Sequence, residues 1–340
     1  MTGKAGGRSR VTAVDVAREA GVSISAVSRV FTPGASASSK MRAKVLAVSE
    51  RLDYMPNAMA RSLMTNRTHL IGIIMANFKN PVYLSILDSF THAIQQRGLR
   101  SLLFNVSRGD DLEASARQIM EYSIDGMIVS AASMSPLLSD QCRRRGIPLV
   151  VFARHPRNVK ANVVTADNVA GGRLAARLLI ERGYRRMAYV GGPETVSTSL
   201  DRGVGFDQAL AEAGLDRARR VNATDYGYDE GYEAVSRLLE GAGRPEAIFC
   251  ANDIMAMAAL DAARYDFGLR VPEDLAVIGF DDIPFAATKP YRLTTIRQPM
   301  DAMVRQSIDV LTDQIGAPDA SPVTRILPCS VIERDTVRRS

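Results

Sequence analysis

The sequence is short of the residues that build metal sites and disulfide frameworks. Its 340 residues include 3 cysteines, 3 histidines and no tryptophan. Cys142, Cys250 and Cys329 lie far apart and form no Cys-x-x-Cys pair, and the histidines show no metal-ligand spacing. We therefore expect neither a metal nor any other cofactor, and a fold that does not depend on disulfides.

Long apolar runs are also missing. The longest, such as residues 70–76 and 149–153, are far shorter than the roughly 20 residues that cross a bilayer. Residues 1–10 are basic and lead into a mixed polar segment, not into the apolar region of a signal peptide. The sequence also lacks a G-x-S-x-G motif, a P-loop and a G-x-G-x-x-G loop after a strand. We expect a cytoplasmic protein that contacts no membrane and has no catalytic residues.

Most of the chain has almost no net charge, and the excess of positive charge is concentrated at its start. Residues 1–67 contain 11 Lys and Arg against 4 Asp and Glu, a net charge of +7, whereas the whole chain carries +6. The remainder is therefore nearly neutral. A basic module on a neutral body is typical of proteins that bind phosphates, although a solubilising basic tail has the same composition.

Residues 12–21 have the signals that begin and end a helix. Thr12 and Asp15 stand three residues apart, the spacing of a capping box in which hydroxyl and carboxylate accept from free N–H groups. Gly21 can adopt the positive φ of a residue that ends a helix. A first helix is therefore predicted from Thr12 to Gly21.

A second helix is predicted after a three-residue turn. Ser23 can cap it, and its residues 24–31 place Val27 and Val30 on one buried side. Two short helices around a glycine-containing turn are typical of the helix-turn-helix, whose second helix enters the major groove of DNA. A helical hairpin of an unrelated domain is the alternative. A third helix is predicted after the linker 33–39.

Two stretches resemble the lac-repressor/galactose-repressor (LacI/GalR) family. Residues 14–30 read VDVAREAGVSISAVSRV and follow the family's headpiece nearly residue for residue. Residues 52–63 read LDYMPNAMARSL and resemble the stretch that forms the family's hinge helix. The resemblance extends along the whole chain. It implies a DNA-binding headpiece over 1–55, a hinge helix over 56–66 and an effector-binding and dimerisation domain over 67–340.

The family pattern implies which residues contact DNA. The base-reading contacts are implied to be Ile24, Ser25, Ala26 and Arg29. The phosphate contacts are implied to be Thr12, Ser23 and Ser28, and the hinge contacts Asn57, Ala60 and Leu63. Ile24 and Ala26 lack hydrogen-bonding side chains, so they are expected to meet thymine methyls, whereas Arg29 can make a bidentate contact to guanine. In the family two hinge helices pair in the minor groove, where Leu63 wedges between base pairs. Packing between domains is the alternative role for Leu63.

From residue 70 onward, apolar runs alternate with helical stretches in two series. The predicted strands are 70–76, 101–105, 126–130 and 149–153 in the first series, and 162–165, 186–191, 220–224, 247–251 and 275–279 in the second. Strict alternation of this kind predicts parallel sheets covered by helices. The predicted fold is an all-α headpiece and hinge helix, followed by an α/β body of two doubly wound parallel-sheet subdomains that resembles periplasmic binding proteins. We expect an N-subdomain of about 67–160 and 297–315, and a C-subdomain of about 161–296 and 320–335.

Ligands of doubly wound folds bind at the carboxyl ends of the strands, in the cleft between the halves. Residues predicted at those ends include Phe78, Asn80, Tyr83 and Arg154. The resemblance adds Arg202, Asn252 and Asp281, which fall on positions that commonly hold effector in the family. All of them are predicted effector contacts. For Asp281 and Asn252, the capping of a turn and of a helix are the respective alternatives.

One position departs from many sugar-sensing members of the family. Those members have an acid followed by arginine after the fourth strand, whereas this chain has Ala153 and Arg154. Arg154 and Arg202 are then both available with one carboxylate fewer, which favours an acidic sugar or a sugar phosphate as effector. An ion pair between Arg154 and a neighbouring acid is the alternative.

Together these features predict a ligand-responsive transcriptional regulator, a repressor of carbohydrate or related catabolic genes. The implied partners are double-stranded palindromic operator DNA, a second copy of the chain in a homodimer, and a sugar, sugar acid or sugar phosphate as effector. A solute-binding transport receptor and an enzyme that uses Asp281 and Asp282 are the alternatives. The headpiece opposes the first, and the lack of a second catalytic group opposes the second. The effector, the operator and the sign of the response stay open.

Overall fold

The structure, a computed structural model, contains two compact units, Met1–Thr68 and His69–Ser340. The residues that it describes are 11–32, 35–56, 67–76, 78, 81–106, 111–130, 134–155, 159–241, 243–317 and 320–339. Each unit has its own hydrophobic core. Among the described helices, none is long and apolar enough to cross a membrane.

The described residues of the first unit form three helices, α1 (Ala13–Ala20), α2 (Ile24–Phe31) and α3 (Ser39–Arg51). The predicted capping box is confirmed: the Thr12 hydroxyl accepts from the Asp15 N–H, and the Asp15 carboxylate accepts from the Thr12 N–H. Gly21 ends α1 with the predicted positive φ, at 58°.

The core of this unit forms where the three helices meet. Val16 from α1, Val27 and Val30 from α2, and Val45 from α3 are all nearly inaccessible to solvent. The predicted buried side of α2 is therefore confirmed. Because this core is small, the caps that start each helix contribute a larger share of its stability than they would in a large domain.

The second unit alternates strands and helices. Its described strands are β1 (Leu70–Ala76), β2 (Arg100–Val106), β3 (Gly126–Ser130), β4 (Leu149–Phe152), β5 (Asn162–Ala166), β6 (Met187–Gly191), β7 (Arg219–Asn222), β8 (Ala247–Cys250), β9 (Ala276–Asp281), β10 (Thr294–Arg297), β11 (Thr324–Leu327) and β12 (Ser330–Ile332). Its described helices are α4 (Pro81–Gln96), α5 (Leu112–Met120), α6 (Pro136–Arg144), α7 (Asn168–Glu181), α8 (Ser197–Glu212), α9 (Tyr228–Glu240), α10 (Asp253–Asp261) and α11 (Met300–Gly316), with a π-helical turn at Ala262–Asp266 and a 3-10 turn at Pro284–Ala287.

The strands form two sheets. The first has the order β11-β5-β4-β3-β1-β2 and the second the order β12-β10-β9-β8-β6-β7. All described pairings are parallel except that of β12 with β10. In the first sheet Ile73 pairs with both Leu103 and Ile128. The predicted architecture of two doubly wound sheets is confirmed.

Two strands lie in a different sheet from the predicted one. The sequence assigned the strands at 162–165 and 324–327 to the C-subdomain, but β5 pairs with β4 and with β11 in the first sheet. Asn162 anchors this arrangement, because its Nδ2 donates to the Leu149 carbonyl at 2.8 Å and its Oδ1 accepts from the Val323 N–H at 3.0 Å. The prediction was wrong because a short buried strand has the same apolar pattern in either sheet.

Helices α7 and α8 pass so close together that only glycine fits at two points of contact. A Cβ added at Gly172 in α7 would lie 2.0 Å from the Arg202 carbonyl oxygen, and one added at Gly205 in α8 would lie 1.9 Å from the Val169 carbonyl oxygen. Both neighbours are backbone atoms, so one helix would have to shift. The two glycines therefore set the position of α8, the helix that carries Arg202.

We expect Gly205→Ala to lower the free energy of unfolding by about 2–3 kcal/mol, because the added methyl overpacks the helix contact. Gly316→Ala is the matched control, since a Cβ at that position meets nothing within 4 Å. Urea denaturation followed by circular dichroism measures both changes. Equal stability of the two variants would contradict the close contact.

Candidate DNA-binding and effector-binding sites

Helix α2 presents an exposed polar face. At its N-cap, the Ser23 Oγ accepts from the Ala26 N–H at 3.2 Å. The residues Ile24, Ser25 and Arg29 are exposed, and the Arg29 Nε donates to the Ser25 carbonyl at 3.4 Å. The helix contains no acidic residue. Its exposed face can therefore approach a polyanion without like-charge repulsion from its own residues.

The other predicted DNA contacts have mixed surroundings. Ala26 is 2% exposed and has almost no surface to offer a thymine methyl in this structure. Thr12 is exposed, but its hydroxyl already donates to the Asp15 carboxylate at 2.7 Å. Ser28 is half-buried. The predicted hinge residues Asn57, Ala60 and Leu63, and the predicted effector contact Asn80, lie outside the described residues.

In the second unit a cavity of about 40 Å³ lies at the carboxyl ends of β4, β8, β9 and β10. Its walls come from both sheets and their helices. The residues that line it are Val82, Tyr83, Ile86, Ala153, Arg154, Thr198, Arg202, Tyr226, Asn252, Asp281, Gln298 and Met300. Five predicted effector contacts are therefore brought together, whereas Phe78 packs against the hydrophobic core and does not line the cavity.

Sequence reasoning missed three polar residues of the cavity. Gln298 follows the carboxyl end of β10, and Tyr226 follows that of β7. The strand before Tyr226 was predicted at 220–224, so the strand-end rule could have named this residue, whereas the strand before Gln298 was not predicted. Thr198 lies near the start of α8, which begins at Ser197. This helix puts Thr198 one turn before Arg202, on the same face.

Arg202 is held from several sides. Its Nε donates to the Asn168 Oδ1 at 2.9 Å, and its Nη1 donates to the Ala251 carbonyl. Its guanidinium carbon lies 3.6 Å from the centroid of the Phe280 ring, and its Nη2 lies 3.8 Å from the Asp281 Oδ1. The side chain is 6% exposed, so its surroundings are almost entirely protein, and these contacts fix its orientation.

Asp281 has the backbone and the surroundings of a functional residue. Its φ of 121° lies in a region that favours glycine, and such strain costs on the order of 1–3 kcal/mol and clusters at functional sites. Burial raises the pKa of its carboxyl to about 6, although Arg202 acts in the opposite direction. Its Oδ1 also accepts from the Gln298 amide. The carboxylate therefore faces the cavity with two donors already around it.

The neighbouring acids have separate partners. Asp282 accepts from Arg297 and from Arg334, both at 2.6 Å. Asp253 is fully buried and accepts from the Thr295 hydroxyl and from the Ile283 N–H. Burial, followed by the negative charge of Asp281, raises the pKa of Asp253 to about 7. The carboxylates of Asp281 and Asp282 thus do not form the acid pair that an enzymatic cleft would need.

Asn252 performs the alternative role that the sequence left open. Its Oδ1 accepts from the Met255 N–H at 2.8 Å and so caps α10, while its Nδ2 donates to the Tyr226 carbonyl at 3.1 Å. Both ends of the amide are engaged within the protein. Its contact with an effector stays a prediction.

Arg154 lies at the centre of the cavity wall and bonds to both sides of it. Its Nη1 donates to the Thr198 Oγ1 at 2.7 Å, and its Nη2 donates to the Tyr83 hydroxyl at 3.0 Å. The guanidinium carbon lies 5.8 Å from the centroid of the Tyr226 ring. Its Nε is buried and has no hydrogen-bond partner among the residues that the structure describes. The acceptors are neutral hydroxyls, so the guanidinium donates hydrogen bonds to them but forms no ion pair within the described residues.

Comparison with known proteins identifies both units. Residues 12–57 match the family described as bacterial regulatory proteins, lacI family, and residues 176–337 match the periplasmic binding protein-like domain. The ribose operon repressor of Escherichia coli (strain K12) is 34% identical over 311 residues, which cover 90% of this chain and 94% of that protein.

Solved structures agree with this match. The lac repressor dimer bound to operator and the anti-inducer ONPF has a TM-score of 0.86 at 25% identity, and the similarity covers 96% of this chain and 99% of that one. A complex of the transcriptional regulator CelR with cellobiose has a TM-score of 0.72 at 30% identity, covering 96% and 100%.

We expect Asp253→Asn to flatten the pH dependence of stability. The pKa of this carboxyl is about 7 in the folded protein against 3.8 ordinarily, so between roughly pH 4 and pH 7 the group is ionised in the unfolded chain and takes up a proton on folding. The free energy of unfolding should therefore fall as the pH rises through this window, by on the order of 2–4 kcal/mol from this group.

Urea denaturation at several pH values between 4 and 8 measures the effect. The exposed Asp216 supplies the control variant Asp216→Asn, which should follow the wild-type profile. An Asp253→Asn profile parallel to that of the wild type would show that the buried carboxyl does not hold its proton.

Proposed function

The chain belongs to the lacI family of bacterial regulatory proteins, and on that basis we propose that it is a ligand-responsive repressor of carbohydrate or related catabolic genes. It binds palindromic operator DNA as a homodimer and an effector in the cavity of its second unit. The observation that carries the proposal is the presence, in one chain, of a basic helix-turn-helix and of a polar cavity lined from two parallel sheets. A DNA-binding regulator acts in the cytoplasm, and the proposal includes no catalytic step.

The DNA-binding part of the proposal depends on α2. The exposed Arg29 can make two hydrogen bonds to guanine, with Ile24 and Ser25 beside it on the exposed face. Thr12, Ser23 and Ser28 contact phosphates, and Asn57, Ala60 and Leu63 contact the minor groove. Since residues 1–67 carry a net charge of +7, operator affinity should fall steeply as salt rises.

The regulatory part depends on the cavity. Its lining combines Tyr83 and Arg154 from the first sheet's side with Arg202 and Asp281 from the second. An effector that contacts both sides favours one arrangement of the two sheets over others, and the operator affinity changes by the same coupling free energy. Ribose and cellobiose appear in the names of similar proteins, which supports a sugar or a sugar derivative as the effector; a sugar acid and a sugar phosphate belong to the proposed class because two arginines line the cavity.

The first experiment is selection of binding sites from random double-stranded DNA with the purified chain. We expect an inverted repeat, because a two-fold symmetric dimer reads two half-sites of opposite direction. Selection of no sequence, or of a single half-site without symmetry, would contradict the proposed dimeric operator binding.

We expect Arg29→Gln to reduce the affinity for the selected site by roughly 10- to 100-fold, because one bidentate guanine contact contributes about 1–3 kcal/mol. Band-shift titrations against the selected site and against unrelated DNA measure the specificity ratio. Arg51→Gln is the control: it removes the same charge from the same unit, but at a side chain on α3 that pairs with Glu19. If the specificity ratio falls equally in both variants, Arg29 contributes through its positive charge and not through a specific contact with guanine.

A further inference from the structure

The guanidinium of Arg154 brings a positive charge into the cavity, and its hydrogen-bond partners among the described residues carry no charge. Its bonded partners, the Thr198 and Tyr83 hydroxyls, are neutral. Within the part of the chain that the structure describes, no carboxylate oxygen lies within the 4.0 Å of an ion pair with Arg154. The ion pair with a neighbouring acid, the alternative that the sequence left open, is not formed among those residues.

The carboxylate that lines the cavity is already matched to another arginine. Asp281 lies 3.8 Å from Arg202, and both side chains are 6% exposed. The Gln298 amide donates to the same carboxylate. The described lining therefore contains two guanidinium groups, Arg154 and Arg202, against one carboxylate. Within these residues there is one positive charge in excess.

An enclosed charge is costly unless a counter-charge accompanies it. Arg154 also has unused bonding capacity, because its Nε is buried and has no partner. A guanidinium binds oxyanions through two parallel N–H groups, and the Nε with one Nη is such a pair. An oxyanion that arrives from outside the chain would supply both the counter-charge and the missing acceptor.

We propose that the effector is a small polyhydroxylated acid whose carboxylate pairs with Arg154. This inference rests on the proposed function, since it takes the cavity to be the effector site. One excess positive charge matches a carboxylate, which carries one negative charge, whereas a phosphate monoester carries close to two. The hydroxyl groups of the ligand face Arg202 and Asp281, whose guanidinium and carboxylate suit neighbouring hydroxyls.

The position of Arg154 also links binding to regulation. Tyr83 belongs to α4, beside the first sheet, and Thr198 belongs to α8, beside the second. A carboxylate bound to Arg154 therefore contacts a side chain whose hydrogen bonds link the two halves, one built on each sheet. The acid group would determine both the affinity and the arrangement of the halves, so a neutral sugar of the same shape would bind weakly and would change DNA binding little.

The test compares acids with their neutral counterparts on the full chain. Thermal-shift and calorimetric titrations use glucuronate with glucose, galacturonate with galactose, and gluconate with sorbitol, and glucose 6-phosphate tests the phosphate. We expect at least one acid to bind roughly 10- to 100-fold more tightly than its neutral partner, the range of a hydrogen bond to a charged group. That acid should also change the affinity for the selected operator site.

Variants of Arg154 then identify the residue responsible. Arg154→Gln should bring the acid and its neutral partner to within about threefold of each other, because the charge is lost. Arg154→Lys should retain part of the preference, since it keeps the charge without the planar fork. Arg144→Gln, which removes an exposed charge on α6, should keep the wild-type preference. Circular dichroism checks that each variant is folded.

Three results would overturn the inference: no acid that exceeds its neutral partner, a preference that survives in Arg154→Gln, or a phosphate ester that binds more tightly than the carboxylates. Tight binding of a neutral sugar that changes operator affinity would overturn it and leave the proposed function intact. If the chain selects no DNA sequence, the proposed function fails whatever the ligand results.

Discussion

The contacts of one buried guanidinium, that of Arg202, determine the geometry of the cavity. It joins α8, where it originates, to Asn168 in α7, to the carbonyl of Ala251 after β8, and to the ring of Phe280 in β9. A buried cation is stable only when such partners occupy its donors and its faces. The same contacts hold Arg202 beside Asp281, so the polar end of the cavity has one geometry in which to receive a ligand.

That geometry requires unusually close packing and a strained backbone. Gly172 and Gly205 allow the backbones of α7 and α8 to touch, which brings Arg202 within reach of Asn168. Asp281 has a φ of 121°, and Asp253 behind it is fully buried, with its pKa raised by burial to about 7. These features lower stability, and the extensive apolar core of both sheets offsets them.

Local signals predicted the headpiece in detail and the body in outline. The Thr12–Asp15 cap and the left-handed Gly21 are confirmed because a few adjacent residues decide them. The sheet to which β5 belongs was predicted wrongly, since it depends on Asn162 meeting the Leu149 carbonyl and the Val323 N–H. Strand ends and the family resemblance together named five of the lining residues. Gln298 was not named because its strand, β10, was not predicted, and Tyr226 was not named although the strand before it was predicted at 220–224.

The sequence by itself determined the types of the elements, the basic charge of residues 1–67 and the presence of two arginines near the strand ends. Local order and composition are sufficient for these. Only the tertiary structure decided that Arg202 lies beside Asp281 while Arg154 bonds to neutral hydroxyls. Those hydroxyls stand 44 and 71 positions away along the chain. Whether a buried charge lies near an opposite charge depends on distances in the folded structure, and a local sequence pattern does not contain those distances.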